Sequence, residues 1–194
     1  AAFYVHTEVV KILITCLGVR AAETIIKPIT RGSVKNYSAF VLAVSHNHVE
    51  IVKIFVKCLG DNAVKEIMKP IAATKDCSAF YVAAVGGYVE MLRLFIDCLG
   101  ARAKTVITEN HGAEGSIFHL VAIAGHNKIM EILIECLKTQ AAEEIMKPIP
   151  SGRYKDLSVL NVAVERDDIE TVKLFINSLG TQVAEVNDKG LSTL

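Results

Sequence analysis

From Ser38 onward the chain alternates between fully apolar runs and mixed stretches whose apolar positions fall at helical spacing. Ser38-Ala39-Phe40-Val41-Leu42-Ala43-Val44 opens on an N-cap type residue and stays apolar for about two turns, which predicts a short helix. Residues 49–59 follow, with Val52, Phe55, Val56 and Leu59 at i, i+3, i+4 and i+7. That spacing predicts an amphipathic helix, with Gly60 as its left-handed stop. Residues 63–69 put Ala63, Ile67 and Met68 on one side and are expected to form a third, short helix ended by Pro70. A polar loop over residues 72–76 then leads to the next serine.

The pattern recurs. Cys16-Leu17-Gly18 returns as Cys58-Leu59-Gly60, Cys98-Leu99-Gly100, Cys136-Leu137-Lys138 and Ser178-Leu179-Gly180, at steps of 42, 40, 38 and 42 residues. Ser38, Ser78, Ser116 and Ser158 keep step with it, as do Ile-Lys-Pro-Ile at 26–29 and Met-Lys-Pro-Ile at 68–71 and 146–149. One such unit cannot cover its own apolar face, whereas stacked neighbours bury a continuous core. The expected fold is therefore all-α, a helical repeat solenoid forming a single array over residues 1–194. It divides into a partial unit at 1–37, units at 38–77, 78–115 and 116–157, and a last stretch, 158–194, that holds one unit and the start of another. Phe40, Phe55, Phe80, Phe95, Phe118 and Phe175 are the expected core.

The fourth unit reads Ser116-Ile117-Phe118-His119-Leu120-Val121-Ala122-Ile123-Ala124-Gly125-His126, followed by Glu131-Ile132-Leu133-Ile134 in its second helix. This resembles the ankyrin pattern of Thr-Pro-Leu-His-Leu-Ala-Ala, a variable pair, Gly-His, and a Glu-Ile-Val-Lys-Leu-Leu helix. The ending Val186-Asn187-Asp188-Lys189-Gly190 is similar to the turn between ankyrin repeats. The resemblance spans essentially the whole chain, with departures. The units run 38–42 residues against about 33 in ankyrin, and the excess lies between Gly60 and Ser78 and its equivalents. An ankyrin-like solenoid with an extra short helix or long loop between repeats is the implied fold. HEAT and armadillo repeats, with periods of about 40–47, compete on length, while the Gly-His step and the Asn-Asp-Lys-Gly ending favour ankyrin. The resemblance also assigns His119 to hydrogen bonding between repeats. Since the pattern starts inside a first helix and stops as another opens, the chain is expected to be part of a longer protein.

Composition narrows the function. With 52% hydrophobic residues the chain is too apolar for disorder, and 21 basic residues against 21 acidic ones leave no basic footprint for nucleic acid. The longest stretch without Asp, Glu, Lys or Arg is the 14 residues 36–49, too short for a membrane span. Cys16, Cys58, Cys98 and Cys136 share one repeat position without metal-type spacing, and are read as small buried hydrophobes suited to a reducing compartment such as the cytoplasm. His6, His48 and His126 share a turn position, where Tyr88 and Asp168 also stand, and Gly86-Gly87 reads as a turn. His46 and His48 make a His-x-His pair without further ligands nearby in sequence. No nucleophile elbow, Walker or dinucleotide motif is present. No catalytic residue, cofactor or metal site is expected.

The expected function is a non-enzymatic protein-interaction scaffold. By the resemblance, ankyrin proteins recognise partner proteins with loop tips and the concave face of the first helices. The matching positions are Ser45, His46, Val85, Ile123, Glu165 and Arg166 at the ends of first helices, and Lys75 and Arg153 in the loops. Tyr37 and Tyr154 are read as one loop position in two units, and Tyr is a frequent hot-spot residue. The alternative is a targeting arm of a larger enzyme, toxin or bacterial effector acting in a host cytoplasm. End-to-end self-association of apolar array ends is a third expectation. Whether the third helical piece lines the binding face or the back stays open at this point, and with it the role of Lys27, Lys69 and Lys147.

Overall fold

In the computed structural model, which describes residues 6–71, 77–109 and 115–180, the helices keep step with the sequence markers. The chain divides into two compact units, Ala1–Gly100 and Ala101–Leu194. The first holds α1 (Thr7–Leu17), α2 (Ala21–Ile26), α3 (Ala39–Ser45), α4 (Val49–Leu59), α5 (Asn62–Met68), α6 (Ala79–Val85) and α7 (Val89–Leu99). The second holds α8 (Ala103–Thr108), α9 (Ile117–Ala124), α10 (Asn127–Leu137), α11 (Gln140–Met146), α12 (Val159–Glu165) and α13 (Ile169–Leu179). The described residues form an all-α structure without a β-strand; a lone bridge joins Ile149 and Lys155. Among them, no helix is long and apolar enough to cross a membrane.

Local chemistry explains each boundary. The Ser38, Ser78 and Ser158 hydroxyls accept the backbone N–H three residues on, at 3.2, 3.3 and 3.2 Å, satisfying a donor that the helix itself leaves open. First helices end at a left-handed residue, Asn47, Gly87, Gly125 or Asp167, with φ of 54, 72, 74 and 56°. The next residue opens the second helix, so the Gly86-Gly87 and histidine positions are turn positions, as expected.

Second helices stop differently from expectation. Gly60 has φ 53° but ψ −130°, outside the left-handed helical region, and its N–H caps the Val56 carbonyl. Gly18, Gly100 and Gly180 repeat that geometry, and Lys138 adopts it too, at φ 56° and ψ −122°. This corner of backbone space is open to glycine and strained for lysine.

In the first unit Phe40, Phe80 and Phe95 have no exposed surface, and Phe40 stacks on Phe95 with ring centroids 6.2 Å apart. The third helix belongs to this core. The α5 helix packs on α4, α6 and α7 and buries Ala63 and Ile67, while Met68 stays half-exposed. In the second unit α9 packs on α10 and α12 around Phe118, and Phe175 is buried on α13. There α11 packs on α9, α10 and α12 and buries Ala141, Ala142, Ile145 and Met146. The six expected core phenylalanines are all buried. The polar loop expected over residues 72–76 lies outside the described residues.

The cysteines correct the sequence reading. Cys16 is exposed, and Cys58, Cys98 and Cys136 are half-exposed. In α4 the buried stripe is Ile51, Val52, Phe55 and Leu59, so Cys58 falls on its flank rather than inside it. Desolvation pushes the Cys98 and Cys136 thiols above their ordinary pKa, which disfavours the reactive thiolate.

Candidate functional site

Two loops, residues 27–37 and 147–157, are built on one hydrogen-bond frame. In the first, Ile29 N–H donates to Tyr37 O at 2.9 Å, Asn36 N–H to Ile29 O at 2.8 Å, and Lys35 N–H to Gly32 O at 3.2 Å. In the second, Ile149 N–H donates to Leu157 O at 2.9 Å, Asp156 N–H to Ile149 O at 2.9 Å, and Lys155 N–H to Gly152 O at 3.2 Å. Positive φ falls at the same places, 84° at Gly32 and 88° at Gly152, then 72° at Asn36 and 66° at Asp156. The frame counts back from the capping serine, so Tyr37 corresponds to Leu157 and Tyr154 to Val34. Tyr37 and Tyr154 are therefore not one position, contrary to the sequence reading.

The second loop closes one side of an open hollow of about 250 Å³ in the second unit. Leu120 and Ile123 of α9 face Ile149, Ser151, Gly152, Arg153 and Tyr154 across it. Leu120 and Ile149 are buried and Ile123 is half-buried, so the floor is apolar. On the rim, the Arg153 guanidinium carbon sits 5.3 Å from the centroid of the Tyr154 ring, in cation–π range. Three of the sequence-derived candidates, Ile123, Arg153 and Tyr154, thus meet at one place.

The remaining candidates lie elsewhere. Tyr37 is half-buried in the loop before α3. At the end of α3, the Ser45 hydroxyl donates to Val41 O at 2.9 Å, while the Ser45 carbonyl accepts from the Tyr88 hydroxyl at 3.1 Å. His46 is exposed, with Nδ1 2.9 Å from Leu42 O and its ring 5.7 Å from that of His48. Val85 is half-buried at the end of α6, and Glu165 and Arg166 are exposed at the end of α12. Lys75 lies outside the described residues. Lys69 and Lys147 are held by Glu66 and Glu144 three residues back. Among the described residues, no group of three His, Cys, Asp or Glu side chains could hold a metal ion.

His119 ties together the two segments that line the hollow. Ser116 N–H donates to its Nδ1 at 3.2 Å, which places the ring proton on Nε2, 2.9 Å from the Lys147 carbonyl. The bond stays within the 116–157 unit, whereas the resemblance implied one between repeats. It ties α9 to the chain leaving α11, two residues before Ile149. Burial lowers the His119 pKa to about 4, against the opposing pull of backbone hydrogen bonds to Lys147 and Leu157. Gly115, at φ 89°, leaves room for this ring, since a Cβ there would come within 3.0 Å of Nδ1.

Leu120, Ile149, Ser151 and Gly152 escaped the sequence reading as site residues. Ile149 carried a usable signal, because it closes the recurring Met-Lys-Pro-Ile marker at residues 146–149. No protein-family model matches this chain, and no curated protein matches it.

Proposed function

We propose that this chain is a protein-interaction module of ankyrin-like helical repeats stacked as a solenoid, which binds a partner polypeptide at first-helix ends and loops. The observation that carries the reading is the hollow of the second unit, where the end of α9 and the loop over 147–157 put Ile123, Arg153 and Tyr154 around an apolar floor. A concave apolar patch with an aromatic and an arginine on its rim has the composition of binding hot spots. The loop supports the role physically. Its frame is main chain to main chain, so the rim side chains remain available for contact.

Affinity capture from lysate tests this, comparing the parent with an Ile123→Ser, Tyr154→Ala variant whose circular dichroism melt matches it. The expected result is a polypeptide retained by the parent and lost by the variant. Equal retention by both proteins, or none by either, overturns the assignment of binding to this hollow.

A further inference from the structure

Rim charge, floor chemistry and size together define which ligand the hollow accepts, a definition that rests on its role as a partner seat. Among the described residues, Arg153 is its one charged lining residue, and no described aspartate or glutamate lines it. Lys128, Lys147, Lys155 and Lys173 of the same unit each meet a carboxylate: Glu131, Glu144, Asp156 and Glu170. Arg153 does not, which is equally true of Arg102, Lys104, Lys138 and Arg166; among the described residues it packs instead against the Tyr154 ring at the rim of the hollow. A ring holds a guanidinium by its face and leaves the N–H fork directed outward, the geometry that a carboxylate accepts in bidentate fashion. The floor side chains Leu120, Ile123 and Ile149 carry no polar group that would compete for that fork. A hollow of about 250 Å³ suits a side chain or two rather than a helix.

We propose that the hollow takes an acidic peptide segment, in which a large apolar side chain fills the floor while a neighbouring Asp or Glu pairs with Arg153. The apolar side chain supplies the desolvation term and the carboxylate supplies orientation. Because Arg153 is exposed, the pairing weakens with salt.

Fluorescence polarisation with short labelled peptides sharing a central Phe-Leu pair, flanked by Glu, by Ser or by Lys, tests this on the whole chain. The Glu-flanked peptide is expected to bind about threefold tighter than the Ser-flanked one, as suits an exposed ion pair. Arg153→Gln removes that preference, and Arg153→Lys restores part of it. Equal affinity for the Glu and Ser peptides, a preference for Lys, absence of binding by all three, or an Arg153→Gln variant that keeps the preference each overturns the proposal. Capture that depends on Ile123 and Tyr154 alongside charge-indifferent peptides would leave the seat standing and remove only its acid preference. Capture indifferent to those residues would remove the seat itself.

Discussion

His119 Nε2 donates to the Lys147 carbonyl at 2.9 Å across 28 residues of chain, and it does so as a neutral ring buried to 1% exposure. The folded-state pKa of about 4 lies below the ordinary 6.5, so between those values the unfolded chain binds a proton that the folded chain refuses. The contribution is fully present above pH 6.5 and is lost as pH falls toward 4, reaching about 3 kcal/mol. Urea melts of the parent and His119→Gln should therefore converge as pH drops from neutral to about 5. A gap that stays constant would mean that the ring does not titrate with folding.

Lys138 stands where other second helices end in glycine and carries φ 56° with ψ −122°. Lys138→Gly should stabilise the chain by about 1 kcal/mol, since relief of backbone strain exceeds the entropy lost to a more flexible unfolded chain. Gly60→Ala should destabilise by a similar amount, although open space surrounds its Cβ position. Urea midpoints of both variants check the pair, and a destabilised Lys138→Gly would show that the lysine side chain outweighs its backbone.

The Phe40 and Phe95 rings stack without any exposed surface. Truncating either to Ala should cost about 3–5 kcal/mol, and the double variant should cost less than the sum because the two losses share one void. A double-mutant cycle measured by denaturant unfolding reads the coupling directly.

Glu144 is buried on α11, and its Oε2 has no hydrogen-bond partner among the described residues. At the corresponding place on α8, counted from the first buried alanine of each helix, stands the buried Val106. Glu144→Leu should leave the melting temperature unchanged or raise it, since the salt bridge to Lys147 repays little of the cost of burying the carboxylate. A large loss of stability would show that the pair with Lys147 matters more than the orphaned oxygen.

Elements governed by near neighbours were legible in the sequence. The bounds of α4 follow from one apolar stripe, one turn residue and one glycine, all within a dozen positions, and the structure reproduces residues 49–59. The first helices follow from their serine caps in the same way. The cysteines misled because a helix flank and a buried stripe differ by a single position, which composition does not register. Tyr37 and Tyr154 misled because loop register is set by main-chain bonds to Ile29 and Ile149, and side-chain identity does not reveal them. The hollow joins α9 to a loop some 30 residues later, a proximity carried by tertiary packing and the His119 bond.

The shared loop frame separates backbone shape from surface chemistry. Its bonds run between main-chain atoms, so one scaffold displays Ser33 and Val34 in one copy and Arg153 and Tyr154 in the other. Those two positions carry different side chains while glycine, a positive-φ Asn or Asp, and the serine cap hold the backbone in one form. Grafting Arg-Tyr onto positions 33 and 34 therefore changes the surface chemistry of the first loop without disturbing the bonds that hold its backbone.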